Sequence, residues 1–194
     1  MEQHNVQITD HLLESARQVP SPNCGDRPDE SDIDLVVIHS ISLPPGQYGG
    51  EQIERFFSNE LNCAEHPYFQ QIEGLQVSAH LFIRRNGEVV QFVPFNRRAW
   101  HAGESSYQGR VNCNDFSVGI ELEGTDIDVY EQEQYQQLAK VCCALVAAYP
   151  KISLQGITGH SDISPGRKTD PGIGFDWQFF LSLLSKAPEE KGKG

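Results

Sequence analysis

The segment Ile33-Asp34-Leu35-Val36-Val37-Ile38 constrains this chain more than any other, because it is a short β-branched run with almost no polar side. A strand of this kind needs cover on both faces, so it belongs inside a sheet with other elements packed above and below it. The run ends at His39 and enters Leu43-Pro44-Pro45-Gly46-Gln47-Tyr48-Gly49-Gly50, whose prolines and glycines stop any extension. His39 therefore stands at the carboxyl end of a buried strand, facing a loop, the place where sheets present ligands.

Other elements follow from spacing. Ile53, Phe56, Phe57 and Leu61 fall at helical intervals between Glu51 and Leu61, and residues 77–83 alternate as a strand. Asn86-Gly87 separates that strand from Glu88-Val89-Val90-Gln91-Phe92-Val93, which is a strong hairpin signal. Residues 94–115 carry Pro, Asn, Gly, Ser and aromatics without a period and read as an ordered loop. Ser117 to Glu123 alternates strictly, with Val118, Ile120 and Leu122 on the packing side and Gly119, Glu121 and Glu123 on the other. Tyr135, Leu138, Val141, Leu145 and Ala148 predict a long helix from about Glu131 to Tyr149, stopped by Pro150. A Pro/Gly-rich loop follows Gly159-His160 and runs to Gly174, and Asp176 can cap a last helix holding Trp177, Phe179, Phe180, Leu183 and Leu184. The expected fold is α/β (mixed α+β), a central mixed β-sheet flanked by helices, in a single domain over residues 1–187 with a frayed tail at 188–194.

Charge and cysteines narrow the partners. The chain has 15 Lys+Arg against 27 Asp+Glu, a net charge of −12, which argues against nucleic acid and anionic membrane surfaces. No basic start followed by an apolar run is present, so no signal peptide is expected, and no stretch reaches the roughly 20 apolar residues of a membrane span. Five cysteines, an odd number without a Cys-x-x-Cys pair, fit a reducing compartment and give no support to a cysteine zinc finger or a redox site. A cytoplasmic location and a monomer are the expectation.

The seven histidines contain neither a His-x-x-x-His nor a His-Glu-x-x-His pair, so each is weighed by position. His4 and His11 lie in a polar lead-in and read as solvated. His66 precedes Pro67 and reads as a surface or turn residue, while His80, beside Ala79 on a strand, reads as a core histidine bonded to backbone. His39 and His160 differ, since each ends an apolar run at a loop. The segment after His160 offers Asp162, Lys168 and Asp170, and two histidines plus one carboxylate make a catalytic zinc pattern with a fourth position open. If 168–170 is extended, Lys168 and Asp170 point to one side. Spacing alone leaves Asp162 and Asp170 each as ligand or as turn former, and leaves Glu121 and Glu123 undivided.

Several stretches together resemble one known family: Val37-Ile38-His39 with Ile41 to Gly46, Val77-Ser78-Ala79-His80, Arg98 to Gly103, Cys113 to Ser117, Gly119 to Asp126, and Gly159-His160 through Arg167-Lys168-Thr169-Asp170-Pro171-Gly172. From about Arg17 to Trp177 they follow the order of the zinc N-acetylmuramoyl-L-alanine amidases. That family includes the cytoplasmic 1,6-anhydro-N-acetylmuramyl-L-alanine amidases of Gram-negative bacteria, phage lysozyme-type amidases and peptidoglycan recognition proteins. The resemblance implies one zinc ion on His39, His160 and Asp170, with Glu121 rather than Glu123 as catalytic carboxylate and Lys168 beside the metal. It implies a muropeptide substrate, cut between the lactyl group of anhydromuramic acid and L-alanine during peptidoglycan recycling. Trp100 would stack on the sugar or else plug the core, His101 would bond to the sugar, and Arg110 would meet the acidic peptide. The chain departs from many relatives at Ala79, where a tyrosine can assist at the scissile carbonyl, and from some at Gln76 and Asn112, where arginines stand near the peptide. A non-catalytic muropeptide-binding module and a lytic amidase acting on intact wall are the alternatives; the three ligand residues disfavour the first.

Overall fold

The computed structural model describes residues 6–185, so His4 and the tail expected at 188–194 lie outside the described residues. The short strands β1 (Ile8–Thr9), β2 (Leu12–Leu13), β3 (Arg17–Gln18) and β4 (Cys24–Asp26) precede β5 (Leu35–Ile41). Helices α1 (Gln52–Phe57) and α2 (Pro67–Gln71) come next, then β6 (Leu81–Ile83), β7 (Val89–Gln91), β8 (Arg97–Ala99), β9 (Ser106–Tyr107), β10 (Arg110–Val111) and β11 (Ser117–Glu123). Helix α3 (Gln132–Ala148), β12 (Ile157–Gly159), α4 (His160–Ile163) and α5 (Trp177–Leu184) follow. Six strands form the central sheet in the order β12-β5-β11-β6-β7-β3. The first four run parallel, β7 is antiparallel to β6, and β3 is parallel to β7, so the sheet is mixed as expected.

Side-chain alternation divides the two central strands between two environments. Val36 and Ile38 of β5, with Val118, Ile120 and Leu122 of β11, join the large core built with α3 and α5. Leu35 and Val37 face the other way, into a small cluster with Ala102, Cys113, Phe116 and Ile163. His39 continues that second row. A third cluster holds Phe82, Val90 and Phe92 against Ile53, Phe56, Phe57 and Phe69 of α1 and α2. Helix α3 is fixed to the sheet at its start by Gln134, which is fully buried, accepts from the Glu131 amide and donates to the carbonyls of Ile83 and Glu123.

The predicted hairpin at Asn86-Gly87, the long helix ended by Pro150 and the Asp176 cap on Phe179 N are all present. Two elements are shorter than their patterns. The helix expected to Leu61 ends at Phe57, and Asn59 follows with a left-handed φ of 63°. Only Leu81–Ile83 of residues 77–83 forms a strand, because the Ser78 amide bonds to Trp100 O instead. The loop 94–115 is ordered and contains β8, paired with β4, and the β9-β10 hairpin.

Candidate metal centre

Three ligand-type atoms meet at the carboxyl end of β5. His39 Nδ1 lies 2.9 Å from His160 Nδ1 and 3.1 Å from Asp170 Oδ2, and His160 Nδ1 lies 3.0 Å from the same carboxylate oxygen. Each comes from a different piece of the fold: His39 from the end of β5, His160 from the first residue after β12, and Asp170 from the loop beyond α4. Both imidazoles are buried, at 1% and 3% exposure. His160 Nε2 donates to Ala102 O at 3.1 Å, so in the neutral imidazole that a metal ligand requires its Nδ1 carries no hydrogen. Bare nitrogens facing each other and a carboxylate repel unless a cation stands among them. Edges of about 3 Å are close to the roughly 3.3 Å that tetrahedral zinc with ~2.05 Å bonds imposes, so the donor set fits zinc.

Asp162 and Asp170, undivided by spacing, have separate tasks. Asp162 Oδ2 accepts from Gly159 N at 2.9 Å and from Thr158 Oγ1 at 2.8 Å, closing the turn that aims His160. Asp170 alone faces the histidines. Its loop is fastened by Ser161 N donating to Asp170 O, and by Asp126, which accepts from Thr169 Oγ1 and Ser40 Oγ. Gly172, at φ 79°, passes so close to Asp126 that a Cβ would lie 2.2 Å from its Cα, so only glycine lets this loop pass.

The same separation appears at Glu121 and Glu123. Glu123 is 2% exposed and accepts from Gly49 N and Arg85 N, so it braces loops. Glu121 pairs in register with His39, and its Oε2 is buried without a hydrogen-bond partner. Burial, and then the Asp170 charge, push the Glu121 carboxyl well above its usual range, with Lys168 pulling the other way. A buried carboxyl with an unpartnered oxygen beside a three-ligand cluster is suited to proton transfer. Lys168 is exposed, outside any regular element, and its charge acts on both Glu121 and His39. Burial lowers His39 to about 4, so the ring is neutral, as a ligand must be.

Residues 29–173 match the family model described as N-acetylmuramoyl-L-alanine amidase. The chain belongs to this amidase family. It is 56% identical over 174 residues to the 1,6-anhydro-N-acetylmuramyl-L-alanine amidase AmpD of Escherichia coli K12, covering 90% of this chain and 94% of that protein. The Haemophilus influenzae enzyme of the same name is 50% identical, over 89% of this chain and 94% of its own length. The crystal structure of a Se-Met AmpD derivative superposes with a TM-score of 0.89 at 55% identity, covering 91% of this chain and 98% of that one. The mixed sheet with flanking helices is thus the amidase fold.

The residues expected around the amidase substrate divide. Trp100 is half-buried and stands outside all three apolar clusters, so it does not plug the core. Two of these residues are engaged within the protein. His101 is not a free sugar contact: its Nδ1 lies 2.9 Å from His39 Nε2 and its Nε2 lies 3.1 Å from Ser117 Oγ, which leaves no ring nitrogen for a ligand. Arg110 pairs with Asp32 and Asp34 and covers the Phe116 ring, at the end of β5 and β11 opposite His39 and Glu121, so its guanidinium is held away from the cluster. Ala79 is fully buried and Gln76 exposed. Asn112 has a left-handed φ of 59°, a conformation asparagine tolerates better than arginine. His80 is the core histidine expected: Gly119 N donates to its Nδ1, and its Nε2 donates to Arg97 O at 3.0 Å.

Sequence reading missed the anchoring side chains. Arg27, 5% exposed, donates to the carbonyls of Phe95, Asn114, Asp115 and Ser117, tying the start of β11 to the loop before it. Asn114 Oδ1 accepts from the amides of His101 and Ala102. Neither residue has a local pattern that could reveal such long-range bonds.

Proposed function

We propose that this protein is a zinc-dependent amidase that hydrolyses the bond between the lactyl group of 1,6-anhydro-N-acetylmuramic acid and the L-alanine of its stem peptide, in cytoplasmic peptidoglycan recycling. The observation that carries the reading is the three-atom cluster of His39, His160 and Asp170 with Glu121 on the same sheet face, in a chain 56% identical to an enzyme named for that reaction. Zinc held by these residues would supply a Lewis acid for the carbonyl and make water acidic enough to attack near neutral pH. Glu121 takes the proton of the attacking water on its unpartnered Oε2 and hands it to the departing alanine nitrogen. The Lys168 ammonium, whose charge already reaches Glu121, offsets the negative charge that grows on the carbonyl oxygen, a contribution of roughly 3 kcal/mol when well placed. Trp100 offers an aromatic face to the sugar ring, and with Ala79 in place of a tyrosine the carbonyl is served by Lys168 and the metal side alone.

The five cysteines are all thiols, which fits a reducing compartment. A direct test compares release of L-alanine-headed peptide from a soluble 1,6-anhydromuramyl tripeptide with solubilisation of intact sacculi. The proposal expects the first and not the second; comparable attack on sacculi would assign the protein to wall lysis instead.

A further inference from the structure

The hydrogen positions behind His39 can be assigned one by one. Ser117 Oγ lies 2.5 Å from Cys113 O, a distance that requires the hydroxyl hydrogen to point at that carbonyl. Its oxygen is then an acceptor toward His101 Nε2, 3.1 Å away, so the His101 hydrogen is on Nε2 and its Nδ1 is bare. That bare Nδ1 faces His39 Nε2 at 2.9 Å and can only accept, which puts the His39 hydrogen on Nε2 and leaves His39 Nδ1 free toward His160 and Asp170.

Two independent features keep His101 in this place. A Cβ on Gly119 would lie 2.4 Å from the His101 ring, so the strand has a glycine where the imidazole lies flat against it. Asn114 Oδ1 holds the His101 amide, and Arg27 clamps the carbonyls of Asn114 and Ser117.

We propose that His101 is a positioning residue of the metal centre, which acts through His39: with Ser117 and Gly119 it locks the His39 ring in the orientation and tautomer that present Nδ1 to the metal. This rests on the zinc reading above and adds a residue that touches neither metal nor substrate. Partners of this kind typically change metal affinity by about 10–100-fold when removed.

The test measures zinc affinity of the full-length protein by competition with a chromophoric chelator. His101→Phe should bind zinc about 10–100-fold more weakly, His101→Gln, which keeps an acceptor for His39 Nε2–H, should recover most of that loss, and Gly119→Ala should weaken binding by crowding the ring. In the zinc-loaded parent protein, nitrogen NMR should show a coupling across the hydrogen bond from His39 Nε2 to His101 Nδ1. Unchanged affinity in folded His101→Phe, or equal loss in the Phe and Gln variants, would overturn the proposal. Should His101→Phe not fold, the NMR spectrum decides, and a proton found on His101 Nδ1 overturns it. A parent protein that takes no zinc at all refutes the amidase reading instead, and the same coupling is then sought in the metal-free protein.

Discussion

Glu121 and His39 are register partners on the adjacent parallel strands β11 and β5, so their side chains leave the same face of the sheet side by side. The pairing begins at Ser117 and Leu35, and period two carries it to the carboxyl ends, where α4 and the loop beyond it bring His160, Lys168 and Asp170. The proposed base and the first proposed metal ligand thus have their relative placement set by backbone hydrogen bonds, while Asp170 and Lys168 depend on a loop.

Glu121→Gln is expected to keep stoichiometric zinc and lose about 10²–10⁴-fold in turnover, since it removes the proton acceptor without touching the ligands. Metal analysis beside a kinetic assay checks both halves. Retained turnover would remove Glu121 from the reaction.

Asp170→Ala should lose zinc, while Asp162→Ala should keep it and instead loosen the turn below His160. Atomic absorption on the two dialysed variants separates a ligand from a cap. Stoichiometric zinc in Asp170→Ala would contradict the geometry.

Arg110→Ala is predicted to lower the melting temperature without changing KM for a muropeptide, because Arg110 is engaged with Asp32, Asp34 and the Phe116 ring. A KM raised about tenfold, some 1.4 kcal/mol of binding, would place Arg110 on the substrate after all.

Burial, and then the Arg27 charge, hold His80 well below the ordinary histidine value of 6.5. The unfolded chain therefore binds a proton near pH 6.5 that the folded chain refuses, so stability from this site is complete above that pH and is lost as pH falls below it. At pH 5.5 the loss is about 1.4 kcal/mol. Denaturant midpoints at pH 7.5 and 5.5, with the His80 ring shifts followed by NMR, check the sign. A ring that titrates near 6.5 would refute it.

Much of the frame was legible because it is local: the β-branched run into His39, Asn86-Gly87, the alternation of Ser117 to Glu123, and the helix ended before Pro150. Histidines at strand ends were legible for the same reason. The choices between Glu121 and Glu123, and between Asp162 and Asp170, were not, because each pair shares composition and spacing and differs only in what distant loops place beside it. The place of His101 rests on contacts 62 residues away at His39 and 16 away at Ser117, and on a glycine opposite it. The pairing of Arg110 with Asp32 and Asp34 spans more than 70 residues and leaves no trace in either local sequence.

The most direct test of the account is mass spectrometry of a 1,6-anhydromuramyl peptide incubated with the purified protein, beside a chelated sample and one to which zinc has been restored. The account predicts separate anhydromuramic acid and peptide masses, lost on chelation and regained with zinc. An intact substrate in the zinc-loaded sample, or cleavage indifferent to the chelator, would contradict it.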